Sequence, residues 1–209
     1  MTRLLRVDDL HFDPSFCALH AYVADEAGSL CWAVDIRCTR MLLNDEECAP
    51  RAHCSKVFLT KPGGGDWSAA FPREVRLRDT KASAEDPLAQ LYVFEHLGVR
   101  GNRFSFGSWV DGAIPLVWQG VCDLHLDERY DTDLAFELRC ELAFGGIKTG
   151  RLSERAARKK VAGYLDVSAF DYRVDEHGVS SLIPVATPAP EELRPAAGSR
   201  TKAKGRPRG

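Results

Sequence analysis

Residues 134–144, LAFELRCELAF, decide the fold class because apolar and non-apolar side chains alternate along them with a period of two. One face of this segment carries Leu134, Phe136, Leu138, Cys140, Leu142 and Phe144. The charged side chains Glu137, Arg139 and Glu141 fall on the other face. The pattern predicts a half-buried antiparallel strand with its apolar face toward a core.

The same period appears earlier in the chain, at residues 30–38 (LCWAVDIRC). Residues 17–24 precede that segment, and residues 25–28 (DEAG) have the composition of a turn with a glycine available for positive φ. Together they predict an antiparallel hairpin.

These two regions share a weak internal repeat of cysteine, leucine, histidine, carboxylate, aliphatic, arginine and cysteine. The first copy runs from Cys17 to Cys38 and the second from Cys122 to Cys140. If each copy is a hairpin, Cys17 lies opposite Ile36 and Cys122 lies opposite Leu138. The repeat therefore predicts two related sheet units.

In that register each histidine is diagonal to a carboxylate on the face away from the cysteines: His20 to Asp35, and His125 to Glu137. A carboxylate beside a histidine favours the imidazolium and raises the pKa of the ring. Such pairs suit acid–base chemistry, but they also stabilise ordinary sheet faces. We therefore predict no catalytic set and keep a His–carboxylate enzyme as an alternative.

Residues 91–110 predict a further hairpin, because two alternating runs flank Arg100–Arg103 with its Gly-Asn step. Residues 44–55 and 61–67 have loop composition. Gly63–Gly65 lack the Lys-Ser/Thr that a phosphate-binding loop requires.

One helix is predicted near residues 153–165, with Ser153 as N-cap and Glu154 in the first turn. The helix would bury the apolar stripe formed by Ala157, Val161, Tyr164 and Leu165.

Charge is unevenly distributed along the chain. From Arg194 onward there are six basic residues and no acidic one, so removing them changes the net charge from −2 to −8. Residues 187–209 are rich in proline, glycine and charge, and we predict a disordered tail. Its end, KAKGRPRG, resembles an AT-hook, which implies minor-groove DNA contacts by Lys202, Lys204, Arg206, Pro207 and Arg208.

The seven cysteines are odd in number and contain no C-x-x-C pair. Together with a charged start in place of a secretion signal, this predicts reduced thiols in a cytoplasmic protein. Cys48 and Cys54, with His53 and Cys38, do not match zinc spacing. We predict no metal and no cofactor.

Residues 127–133 (DERYDTD) place four carboxylates around a tyrosine. Charge complementarity and an aromatic anchor would suit docking onto a basic protein surface. The predicted partner-binding residues are Asp127, Glu128, Tyr130, Asp131 and Asp133.

The predicted fold is α+β: one folded unit, residues 1–186, in which a predominantly antiparallel twisted sheet assembly of about eight to ten strands carries the one helix. Residues 1–80 and 88–186 would be the repeat halves. No apolar run is long enough to span a membrane.

The expected function is that of a non-enzymatic binding protein. An acidic, β-rich chain without catalytic motifs fits the class of bacterial immunity proteins, which would block a basic, nuclease-type toxin sterically and electrostatically. DNA association through the tail is the other alternative, with nucleic acid contacting the tail only.

Overall fold

The computed structural model describes residues 3–24, 28–78, 87–125, 130 and 132–185. Within them the chain forms fourteen strands and one α-helix, α1 (Glu154–Val161). The strands are β1 (Leu4–Val7), β2 (Leu10–Phe12), β3 (Pro14–Ala24), β4 (Ser29–Cys38), β5 (Met41–Leu43), β6 (Glu46–Cys48), β7 (Arg51–Thr60), β8 (Arg73–Arg76), β9 (Ala89–Tyr92), β10 (His96–Phe106), β11 (Ala113–Cys122), β12 (Leu134–Gly150), β13 (Phe170–Val174) and β14 (Ser180–Pro184).

Twelve strands belong to one mixed sheet, and seven of them close into a ring in the order β3, β4, β7, β9, β10, β11, β12. The closing strand, β12, is 17 residues long. It pairs with β1, β11 and β14 in antiparallel fashion and with β3 in parallel fashion. The predicted mostly antiparallel sheet is thus confirmed in its coarse form, while the count of about eight to ten strands is too low.

Alternation along the strands directs one side chain in two into a single continuous core. Trp118 and Phe104 stack at 4.8 Å between ring centroids, and Phe136 meets the same indole at 4.9 Å. Trp32 contacts Phe144 at 5.4 Å. The faces predicted for residues 30–38 and 134–144 are both confirmed, because their apolar members line this core.

The turn predicted at Arg100–Arg103 is wrong. β10 continues through these residues without a turn, and the hairpin between β9 and β10 turns instead at residues 93–95. Arg100–Arg103 form a bulge at which the register with β11 shifts, and Gly101 has φ +61°. Asn102 is buried there, and its amide oxygen accepts a hydrogen bond from Trp118 Nε1 at 2.8 Å. This buried bond keeps the chain in the sheet.

Two other local predictions need correction. Residues 44–55 are not one loop, because β6 and the start of β7 lie within them. The helix is shorter than predicted, ending at Val161, although Ala157 and Val161 are buried as expected. Ser153 holds the N-cap position without a capping hydrogen bond from its side chain.

The register of the first repeat copy is confirmed: Cys17 lies opposite Ile36, and Ala24 lies opposite Ser29. The register of the second copy is wrong, because Cys122 lies opposite Leu134 and Leu138 lies opposite Trp118. The connection between β11 and β12 is long, so the two strands meet in a different register. The two copies of the repeat therefore share a sequence pattern but not a strand register.

Candidate functional site

The outer face of β3, β4 and β7 carries two histidines around one carboxylate. Asp35 lies directly opposite His53, and His20 pairs with Ala33, which makes it diagonal to Asp35. All three are partly exposed, with the Asp35 side chain at 31%. Arg37 donates to Asp35 Oδ2 at 3.2 Å. The predicted diagonal of His20 and Asp35 is confirmed, and His53 joins it from a strand that the repeat does not include.

The pKa expected for His20 is wrong in direction. Burial of the ring, reinforced by Lys148, lowers the pKa from 6.5 to about 4, and the opposing effect of Asp35 is smaller. The pKa of His53 is lowered as well, again mainly by burial. Both rings are therefore neutral near pH 7. Loss of hydration disfavours the imidazolium, and this effect exceeds the attraction of the partly exposed Asp35 carboxylate.

His20 is fixed by its contact with β12. Its ring lies against Gly145 so closely that a Cβ at that position would overlap Cε1 and Nδ1. Nδ1 is buried and has no hydrogen-bond partner among the described residues. The histidine thus packs as a planar wedge between two strands, and its orphaned nitrogen carries a desolvation cost.

The second predicted pair, His125 with Glu137, is not formed. Glu137 accepts from Arg6 Nη2 at 3.0 Å and from Arg139 Nη2 at 2.7 Å. Gln119 occupies the position opposite Glu137. His125 instead contributes to lowering the pKa of Asp123. The changed register is the cause, since it moves His125 beyond the end of the pairing.

All seven cysteines are buried and free. Burial raises the pKa of Cys38, Cys54 and Cys122 to about 12. Cys17 differs, because a hydrogen bond from the Cys140 thiol lowers its pKa. Among the described residues no group of three or more histidine, cysteine or acidic side chains is arranged to hold a metal ion.

The acidic segment after β11 is anchored to the ring at the two partner-binding positions that the structure describes. Tyr130 is 4% exposed, and its hydroxyl donates to Asp9 Oδ1 at 2.6 Å. Asp133 accepts from Arg100 Nη2 at 2.8 Å, and its backbone N–H donates to Asp123 at 3.0 Å. Arg100 also donates two hydrogen bonds to the Asp123 carboxylate, of 2.6 and 2.9 Å. Tyr130 is thus an internal anchor, while Asp133 is 77% exposed.

These contacts gather carboxylates that the sequence leaves apart. Asp8 and Asp9, both exposed, form the turn between β1 and β2, and Tyr130 ties that turn to the segment after β11. We call the described carboxylates of this region, Asp8, Asp9, Asp123 and Asp133, the acidic pole. Asp8 and Asp9 were not among the predicted partner-binding residues, since no local sequence signal connects residue 9 with residue 130.

Several predicted residues lie outside the described part of the chain. They are Asp127, Glu128 and Asp131 of the acidic segment and all five tail residues, Lys202, Lys204, Arg206, Pro207 and Arg208. Their assigned roles stay predictions. Within the described residues, no helix is both long and apolar enough to cross a membrane.

Comparisons of the chain with protein-family models, curated proteins and solved structures gave no match.

Proposed function

We propose that this chain is a non-enzymatic binding protein that inhibits a basic protein by covering its surface. The closest class is the cytoplasmic immunity protein of bacteria, which neutralises a toxin, for instance a nuclease whose cleft is basic. The observation that carries the proposal is the anchoring of the acidic pole by Tyr130–Asp9 and Arg100–Asp133.

Anchoring matters because ordering a loop during association costs free energy. Arg100 binds both Asp123 and Asp133, which holds two described carboxylates in place before any partner arrives. Arg100 lowers the pKa of Asp123 to about 2, so that this carboxylate stays ionised across the physiological range. A preformed negative surface raises the association rate with a positive one and selects against acidic partners.

The charge of the chain acts in the same direction. Residues 1–193 carry a net charge of −8, which includes the predicted partner-binding residues Asp127, Glu128 and Asp131. A basic active-site cleft is the surface most strongly complementary to this region, and a closed ring of paired strands is a suitable support for occluding it.

The experiment is capture from a native lysate by the full chain, followed by an activity assay of the captured protein. The test variant replaces Asp127, Asp131 and Asp133 with Asn and Glu128 with Gln. A matched control, Asp45→Asn, Glu46→Gln, Asp171→Asn and Glu176→Gln, removes equal charge from exposed sites elsewhere.

We expect one basic protein to be retained near stoichiometrically by the wild type and the control, lost by the test variant, and inhibited when bound. Affinity should fall as salt rises, because exposed charges are screened. Equal retention by the test variant and the control, or a captured protein whose activity is unaffected, would contradict the proposal.

A further inference from the structure

A row of polar side chains crosses five strands on the outer face of the sheet. Arg76 lies opposite Arg103, which lies opposite Gln119. The row continues from Gln119 to Glu137 and from Glu137 to Arg6. We call these residues, with the adjoining Arg139, the arginine face. These residues comprise four arginines and one glutamate, on a chain whose residues 1–193 are acidic overall. One further exposed carboxylate, Glu74, lies beside Arg76 on the same face of β8.

Arg76 and Arg103 form one end of this face, and Glu74 lies diagonal to Arg103 without an ion pair to it. Both are exposed, and like charges directly opposite each other in a sheet are destabilising. Within the part of the chain that the structure describes, neither guanidinium has an ion-pair partner. The pair thus costs folding free energy, and its forks of N–H donors face the solvent.

The other end of the face is fixed in place. Glu137 is only 12% exposed and binds Arg6 at 3.0 Å and Arg139 at 2.7 Å. One carboxylate orients two guanidinium groups and neutralises one of their charges. Arg6 and Arg139 remain about half exposed, so each has donors left for a ligand.

The composition of the face discriminates between possible occupants. Protein interfaces usually centre on a buried aromatic or aliphatic anchor, and the row contains none. Binding to a phosphodiester backbone requires no such anchor, because release of counterions from the polyanion supplies the free energy. Arginine forks also match phosphate oxygens, which accept most protein–DNA hydrogen bonds.

We propose that the arginine face binds the phosphodiester backbone of a nucleic acid, with Arg76 and Arg103 as its principal contacts. Asp8 lies two residues beyond Arg6 on the same chain segment, and it repels phosphates from that side. The backbone therefore lies along the row, across the strands, and base identity is not read. No residue of the arginine face belongs to the acidic pole, which adjoins the face at Asp8.

The test measures fluorescence anisotropy of labelled DNA and RNA duplexes of about 16 base pairs with the full chain, over about 50 to 200 mM salt. The test variant is Arg76→Gln/Arg103→Gln. The matched control is Arg151→Gln/Arg155→Gln, which removes the same charge from exposed residues that the structure shows in no ion pair. A third chain has Lys202, Lys204, Arg206 and Arg208 replaced with Gln.

We expect the test variant to bind about tenfold more weakly and to lose about 2 from the slope of log affinity against log salt. The control should change affinity far less. Introducing Arg76→Gln/Arg103→Gln into the tail variant should weaken its binding by the same factor as in the wild type. Equal weakening in the test variant and the control would overturn the proposal. If poly-glutamate at matched charge displaced the labelled duplex as well as unlabelled nucleic acid does, the choice of nucleic acid as ligand would be overturned. If the wild type bound neither duplex, the whole proposal would be overturned.

Discussion

The ring of His20 lies against the backbone of Gly145, where the parallel pairing of β3 and β12 shifts its register. The absence of a side chain at Gly145 is what allows the histidine to occupy the sheet face beside Asp35. This contact joins the first third of the chain to the last third and fixes the position of the candidate histidine.

Gly145→Ala should therefore destabilise the fold by about 1–3 kcal/mol, because the new methyl group must displace the imidazole. Chemical denaturation measures the change in free energy of unfolding. Gly163→Ala is the control, since a Cβ there meets nothing within 4 Å. The double variant His20→Ala/Gly145→Ala should recover part of the loss, whereas equal stability of the two glycine variants would contradict the packing argument.

Stability should fall as the pH drops from about 6.5 to about 4. The pKa of His20 is about 4 in the folded chain, below its ordinary value of 6.5. The unfolded chain therefore takes up the proton first, and acidification favours unfolding in this window. Above pH 6.5 the ring is neutral in both states, so His20 adds no pH dependence there. Across this window the titration of His20 lowers the free energy of unfolding by about 2 kcal/mol.

His20→Gln should flatten that pH dependence in denaturation curves collected across the window. Part of the slope should remain, because burial lowers the pKa of His53 in the same direction. His177→Gln, at an exposed position, serves as the control. A slope that is identical in the wild type and His20→Gln would show that the ring is not desolvated.

Asn102→Ala should cost about 2–3 kcal/mol. Asn102 accepts from Trp118 Nε1 at 2.8 Å and donates to the carbonyl of Val99 at 2.6 Å, in a buried bulge. Its removal leaves the indole N–H without a partner. Ser105→Ala, exposed on the same strand, should change the free energy of unfolding by less than about 0.5 kcal/mol. Similar values for the two variants would mean that water replaces the lost amide.

Arg100→Gln should return the pKa of Asp123 from about 2 toward its ordinary 3.8, because the bidentate hydrogen bond from Arg100 is the main cause of the lowering. This carboxylate stabilises the fold above pH 4, and its contribution is lost as the pH falls toward about 2. We expect a loss of about 1 kcal/mol at neutral pH, since the pair is partly exposed.

Titration of the Asp123 carboxyl by NMR tests this expectation directly. Arg151→Gln removes a similar charge far from the pair in sequence and should leave the titration unchanged. If Asp123 titrated alike in both variants, Arg100 would not be the anchor of the acidic pole.

Arg103→Glu should stabilise the chain by roughly 0.5 kcal/mol, because it converts a like-charge cross-strand pair with Arg76 into an attractive one. Arg103→Gln should give a smaller gain. Thermal denaturation at low salt detects the effect, which high salt should reduce. Destabilisation by both substitutions would mean that Arg103 has a structural partner.

The alternation of apolar and charged residues predicted those strands that have one apolar and one charged face. Residues 30–38 and 134–144 needed only their alternation. Only four residues separate β3 from β4, and this short connection limited the register that brings His20 diagonal to Asp35. The long connection before β12 gave no such constraint, so the second register was wrong. The Gly-Asn step at residues 101–102 is typical of a turn, but a buried hydrogen bond to Trp118 kept it within a strand.

The sequence by itself determined which side of residues 30–38 and 134–144 faces the core, because a period of two is a local property of consecutive residues. It also determined the opposed charges of the body and the tail. Only the tertiary structure decided that seven strands close into a ring, that Gly145 receives His20, and that Asp9 reaches Tyr130. The physical reason is that these contacts join residues more than a hundred positions apart, where loop closure and core packing, rather than local preference, select the partner.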